Sequence, residues 1–576
     1  MTGPSMSPLL TIWASILLPL AAAAIIPLAA ARHAKWIATA GSFLSLGAIA
    51  LHAWHFPAWM TGAVVPETPG PEWIPGLGIT LSVGFDSVAL LLALLTAFLM
   101  PLCLIGSFSA VQEREREYYA WFSVLASAML LAFAAKDAIL FYIGYEFTLI
   151  PMTLLIAIYG GTERRPAAIK YFLYTFLGSL FMLAGLLYLA WQHRETTGQW
   201  SFDIAALTAT AVRLPSSTQF WLFAALICGF AVKIPLFPVH TWLPLAHDQA
   251  PTGGSVILAG SMLKLGSYGV YRFAMPMAPA GGVELMVLMG ILCLVAIVYA
   301  SLICWVQQDA KKLVAYSSVA HLGLSMLGLF SLNPLGAEGS VFYWVNHGLS
   351  TGALFLCIGM FYERYHTKDM ERLGGLARAM PVWACFMVFF VMASAGLPGL
   401  NGFVGEILCI GGTFIAENDA QSGYPGVLGP SFAVVAGTGM ILAAMYLLIL
   451  LGKIVWGPLR EPHDTHDEAT GHPVEAHAKL PRDLNGREIG ILMPLAVACL
   501  ALGLYPKPML EAIAPCVEKT LAAYPAQVER LRAAETASLN GAGTAAANVA
   551  DATASGHPVT RATARAASPT DGTVTR

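Results

Sequence analysis

The chain has 576 residues, 57% of them hydrophobic and only 11% charged, against about 25% charged in soluble proteins. So little charge excludes an ordinary soluble enzyme, which needs polar surface on every domain. A formal net charge of −3 with no basic stripe argues against nucleic acid as a partner.

Uncharged runs such as residues 214–232, 379–405 and 420–452 are long enough to cross lipid, at about 20 residues per helix. In chain order, hydropathy predicts fourteen transmembrane helices, at 9–31, 36–54, 81–107, 118–134, 137–158, 170–191, 218–247, 253–275, 283–304, 313–330, 338–362, 380–416, 430–456 and 488–506. The Ala-rich stretch from Leu20 to Ala31 superficially resembles an export-signal cleavage region. No Lys or Arg precedes the apolar stretch, however, and it is too long for a signal core, so it is expected to be the first span. The nine cysteines form no CxxC and mostly sit in apolar runs, as Cys228, Cys293 and Cys357 do, which points to packing residues rather than a metal site or disulfide framework.

Lys and Arg collect on the cytoplasmic side of membrane proteins. Alternate connections carry Arg32 and Lys35; Arg114 and Arg116; Arg164, Arg165 and Lys170; Lys311 and Lys312; Arg364, Lys368, Arg372 and Arg378; and Lys453, Arg460, Lys479, Arg482 and Arg487, which is eighteen in all. The opposite connections hold four, Lys136, Arg194, Arg213 and Arg272. The split predicts an even number of spans with both termini periplasmic. The turn around Asp248 is an exception, with no Lys or Arg on its cytoplasmic side.

Ionisable residues at helix centres cost about 2.5 to 3.5 kcal/mol each on insertion scales. This chain places Glu146 in span five, Lys233 in seven, Lys264 in eight, His321 in ten, His347 in eleven and Glu406 in twelve. Structural readings exist for each. Glu146 and Lys233 would form a static ion pair, Lys264 would snorkel to an interface, the histidines would bond to carbonyls, and Glu406 would cap freed amides. Taken together they are the residue types of a proton relay: a desolvated lysine holds its proton weakly until a carboxylate approaches, and histidine passes protons through either ring nitrogen.

Pro235 and Pro238 follow Lys233, and Leu397, Pro398 and Gly399 precede Glu406, so spans seven and twelve are expected to break. Broken backbone is tolerated in a bilayer only against protein or water. Grouping spans four to eight and nine to thirteen places each break in the fourth helix of a five-helix unit. Five is odd, so the units are inverted, a pattern that points to an ion path. The expected fold class is therefore an all-α membrane protein with inverted five-helix repeats. Its domains are residues 1–117 (spans one to three), 118–275 (first repeat), 283–456 (second repeat), 457–487 (a cytoplasmic loop), 488–506 (span fourteen) and 507–576 (a polar tail). The loop holds His463, His466, His472 and His477 and is expected to be solvated rather than metal-binding. The tail, rich in Ala, Thr, Gly and Ser from 533 onward, is expected to be disordered.

The segments PVHTWLPLAHDQAPTGGSVILAGSMLKLGSYGVYRF (Pro238 to Phe273), KKLVAYSSVAHLG (Lys311 to Gly323) and LPGLNGFVGE (Leu397 to Glu406) resemble the antiporter-type subunits of respiratory complex I, NADH:quinone oxidoreductase, and the resemblance covers roughly residues 1–510. Glu406 is distinguishing, because sister subunits and the multisubunit sodium/proton antiporters usually have Lys at the matching place. The resemblance implies that Glu146 and Lys233 are a coupled pair, Lys264 the central relay lysine, His321 and His347 intermediate groups, and Glu406 the terminal group. It also implies a bacterial inner (plasma) membrane, other membrane-arm subunits and lipid as partners, and no redox centre in this chain. NADH, FMN, iron–sulfur clusters and quinone would belong to partner subunits. Two alternatives remain at this level, a Na⁺/H⁺ antiporter subunit and a purely structural subunit that seals and spaces the membrane arm.

Overall fold

The structure, a computed structural model, describes residues 7–461, 482–534 and 536. Its helices, in chain order, are α1 (Pro8–Ile25), α2 (Ala31–His55), α3 (Ser87–Gly106), α4 (Glu115–Ala134), α5 (Ala138–Phe147), α6 (Leu149–Tyr159), α7 (Arg164–Thr197) and α8 (Ile204–Ala211). There follow α9 (Ser216–Lys233), α10 (Trp242–Gln249), α11 (Thr252–Ile257), α12 (Leu263–Gly269), α13 (Met275–Met277), α14 (Pro279–Val306), α15 (Ala310–Phe330) and α16 (Pro334–Tyr365). The last are α17 (Pro381–Ser394), α18 (Asn401–Ile415), α19 (Asp419–Ser422), α20 (Pro430–Ile454), α21 (Gly486–Leu504) and α22 (Lys507–Leu521). The strands β1 (Glu72–Ile74) and β2 (Ile79–Thr80) pair antiparallel in the long second connection.

Among the described residues twelve helical stretches are long and apolar enough to cross a membrane, and the other two expected spans, the eighth and twelfth, are present as fragmented helices. In lipid the backbone must satisfy its own hydrogen bonds, so apolar runs become helices and the exceptions fall at their ends. Asp86, Asp137, Asp203 and Asp309 accept from free amides at the starts of α3, α5, α8 and α15. Asn485 and Glu488 form a reciprocal capping box at α21.

Both expected breaks are present. Between α9 and α10, Pro235 has φ +31° and the Phe237–Pro238 peptide is cis, while the Trp242 indole donates to the freed Val232 carbonyl at 2.9 Å. Between α17 and α18, Gly396 and Gly399 adopt φ of +73° and +91°. There Asn346 and Asn401 donate to one another's backbone carbonyls at 2.7 and 3.2 Å, tying α16 to the start of α18. Two further interruptions were not expected. Span five divides into α5 and α6, where Pro151 has no N–H to give to the Phe147 carbonyl. Span eight carries π-helical turns at Leu258–Met262 and Val270–Ala274 on either side of α12, a distortion common at functional sites.

Helices α15 and α16 form the centre: 94% and 100% of their most apolar windows are buried by other helices. By contrast α7 turns Leu173, Phe176, Leu177 and Phe181 outward, as a lipid-facing helix does. At one end of the core, Arg364 of α16 donates to both carboxylate oxygens of Glu488 on α21 at 2.9 and 2.8 Å, with 6% and 2% of the two side chains exposed. Removing one partner of such a pair strands the other charge, at about 3 to 5 kcal/mol. Arg364→Ala should therefore lower the thermal unfolding temperature of the purified protein or its complex; an unchanged melting curve would show that the pair holds nothing.

The expected polar tail from 507 needs correction. Met509, Ile513, Val517 and Leu521 recur every four residues and give α22 a buried apolar face. Beyond it Tyr524 is buried and donates to the Met275 carbonyl at 3.0 Å. The composition of the whole segment hid this short amphipathic stretch. Residues 462–481, which carry the four loop histidines, and residues 535 and 537–576 lie outside the described residues.

Candidate functional site

The six ionisable side chains lie along a line of helices that crosses the two breaks. Glu146, the next-to-last residue of α5, is the least buried of the six; it faces Ser179 of α7. Lys233 is the last residue of α9 and 2% exposed. Its ammonium donates to the Thr148 hydroxyl at 2.8 Å and sits 4.3 Å from the centre of the Tyr145 ring, a favourable cation–π position. Thr148 in turn donates to the Tyr145 carbonyl at 2.7 Å. Glu146 and Lys233 interact electrostatically but do not form a direct ion pair in this state. The two side chains therefore stand apart here: Thr148 holds the lysine, and Glu146 lies beside Ser179, whose hydroxyl donates to the Phe176 carbonyl at 2.8 Å.

Lys264 on α12 is fully buried. Its ammonium donates to the Ala259 carbonyl, within the first π-helical turn, and lies 2.7 Å from His347 Nδ1 on α16. Snorkelling is therefore excluded for this lysine in this state. An ammonium can only donate, so while Lys264 holds its proton Nδ1 accepts and the neutral His347 carries its hydrogen on Nε2. That nitrogen has no protein partner. It belongs to a ring whose centre is 5.9 Å from that of His321 on α15.

His321 meets the second break through a tyrosine. His321 Nδ1 is 2.7 Å from the Tyr343 hydroxyl, which donates to Glu406 Oε1, also at 2.7 Å. The direct His321 to Glu406 separation is 3.7 Å. Glu406, 2% exposed, takes this hydroxyl and no backbone amide among the described residues, so it does not cap α18. Gly396, in the break, lies against it: a Cβ there would fall 2.2 Å from Glu406 Oε2. The arrangement brings Lys264 into contact with His347, and His321 into contact, through Tyr343, with Glu406. Lys233 and Lys264 share no hydrogen bond, nor do His347 and His321.

Sequence reasoning passed over several of these residues. Tyr343 precedes His347 by four positions on α16, so helical spacing placed it on the same face. His247 of α10 lies within the motif starting at Pro238; it is fully buried, stacked on Phe355 at 4.7 Å, and neither ring nitrogen has a partner. It lies within electrostatic reach of Lys311 and Lys264. Lys311 donates to the Ala250 carbonyl at 2.5 Å. Asp248, next to His247, is held by Lys368 at 2.5 Å and Lys312 at 3.5 Å. The turn that lacked a cation in sequence therefore borrows two from neighbouring connections on the same side. Burial pushes the nearby Asp309 carboxyl up from its ordinary range, against the pull of Lys368.

The family described as NADH:quinone oxidoreductase/Mrp antiporter, transmembrane, matches residues 135–422, which include all six positions. NADH-quinone oxidoreductase subunit M of Rhodobacter capsulatus is 39% identical over 509 residues, 87% of this chain and 93% of the relative. NADH-ubiquinone oxidoreductase chain 4 of Marchantia polymorpha is 37% identical over 441 residues, 76% of this chain and 82% of the relative. Among solved structures, a chain of respiratory complex I from Thermus thermophilus, determined with bound NADH, superposes with a TM-score of 0.75 at 29% identity, covering 89% of this chain and 99% of that one.

Proposed function

Because the chain belongs to the NADH:quinone oxidoreductase/Mrp antiporter transmembrane family, in the branch of NADH-quinone oxidoreductase subunit M, we propose that Glu146, Lys233, Lys264, His347, His321 and Glu406 are its proton relay. The subunit translocates protons in the membrane arm of NADH:quinone oxidoreductase and works with sister membrane subunits. NADH, FMN, iron–sulfur clusters and quinone act in partner chains, and both termini face the periplasm. The observation that carries the residue assignment is the pair of buried contacts, Lys264 to His347 and His321 through Tyr343 to Glu406, set between two broken helices.

The open Glu146–Lys233 pair supplies the moving part. A carboxylate drawn toward Lys233 favours its protonated form, and withdrawal favours release toward Lys264. Water bridges the two steps without a direct contact, at the break beside Lys233 and at the free Nε2 of His347. Moving one charge against 100 mV needs about 2.3 kcal/mol, close to a change of two pKa units at about 1.36 kcal/mol each. Quinone chemistry in a partner chain has only to shift this one interaction.

Lys233→Ala should abolish proton translocation by the assembled complex and lower NADH:quinone turnover. The assay is run with and without Na⁺, since exchange of Na⁺ for H⁺, the runner-up, predicts a sodium-dependent defect with NADH oxidation untouched. Wild-type pumping by an assembled Lys233→Ala complex would leave the chain a purely structural role.

A further inference from the structure

We propose that Tyr343 hands the proton between His321 and Glu406, and that Tyr446 orients the imidazole for that transfer. The inference rests on the relay reading above and adds two residues to it. His321 Nδ1 and Glu406 Oε1 are 3.7 Å apart, too far for a hydrogen bond. The Tyr343 oxygen closes the gap, 2.7 Å from each. Among the described residues both hydrogen-bond contacts of its hydroxyl are titratable side chains, carried by α15 and α18, while Tyr343 itself is on α16 and 3% exposed.

With Glu406 ionised, hydrogen counting fixes the direction of every bond. A carboxylate cannot donate, so the single phenolic hydrogen goes to Glu406. The phenolic lone pair must then accept from His321, which places a hydrogen on Nδ1. In the neutral ring Nε2 is left as an acceptor, and the Tyr446 hydroxyl stands 3.3 Å from it. The bonds run head to tail, from Tyr446 through His321 and Tyr343 to Glu406. When His321 is doubly protonated, its Nδ1–H bond breaks as the hydrogen moves to the Tyr343 oxygen, and the phenolic O–H bond breaks as that hydrogen moves to Oε1. The products are a neutral imidazole, an intact tyrosine and a protonated Glu406. Atoms and charge balance, no electron moves, and no charge has to rest on the phenol.

The test uses the whole complex in proteoliposomes, comparing NADH:quinone turnover with proton uptake. Tyr343→Phe removes one oxygen from a packed site and should slow coupled turnover about 10-fold, less than the roughly 10²-fold that losing a whole proton-transfer group costs. The KM for quinone should not change, and the solvent deuterium isotope effect should rise. Tyr446→Phe, which loses the longer bond, should show a smaller loss in the same direction. Wild-type turnover, pumping and isotope effect in assembled Tyr343→Phe would overturn the assignment. Should that variant fail to assemble, 3-fluorotyrosine at position 343 decides: a displaced pH profile of coupled turnover supports the transfer, and an unaltered profile overturns it. Glu406→Gln is measured in parallel. Wild-type pumping there brings down the relay reading itself, whereas loss there with full activity in Tyr343→Phe removes only the tyrosine.

Discussion

Lys264→Ala is expected to reduce proton-coupled NADH:quinone turnover by about 10²-fold, the scale for removing a positioned proton-transfer group, in a complex that still assembles. Lys264 is the only one of the six relay candidates on a helix flanked by π-helical turns on both sides, and its ammonium is wholly enclosed. The first turn supplies the Ala259 carbonyl as its second acceptor. Truncation leaves His347 with neither ring nitrogen bonded to protein, because Nε2 is already without a partner. Lys264→Arg separates relay from static charge. Guanidinium stays protonated at any relevant pH, so it preserves a fixed positive charge but cannot release a proton. The relay account expects Lys264→Arg to fail as Lys264→Ala does; retention of pumping by the arginine variant would mean that charge alone suffices.

Glu406→Gln is expected to be nearly as severe. The amide has the volume of the carboxyl and its oxygen can still accept from Tyr343 at the position now 2.7 Å away, so packing survives while the ability to take a proton is lost. The site leaves little room for compensation: Gly396, at φ +73°, approaches so closely that any side chain there would collide with Oε2. Coupled turnover and proton uptake should fall together by about 10²-fold, while the variant complex keeps its wild-type subunit content. A Glu406→Gln complex that pumps normally would contradict the relay reading.

Much of the architecture was legible because lipid imposes one simple constraint. All fourteen apolar stretches are helical, ten of them as single helices, and Pro235, Pro238, Pro398 and Gly399 marked the two large breaks through the loss of backbone donors and the need for unusual φ. Single ionisable residues in apolar runs stood out for the same reason. What stayed hidden was relational. Tyr343 reads as one aromatic among many until α15 and α18 bring His321 and Glu406 to its two sides. That Lys233 donates to Thr148 rather than to Glu146 shows only once α9 is packed against the end of α5. The π-helical turns around Lys264 leave no clear mark in its Gly- and Ser-containing segment, and α22 was masked by averaging its apolar face into a polar tail.

The most direct measurement is the number of protons moved per NADH oxidised by proteoliposomes carrying the complex with Lys264→Ala, side by side with wild type. Conduction through the enclosed lysine predicts a lower count per NADH in whatever turnover remains. An undiminished count, from a complex shown to be fully assembled, would contradict it.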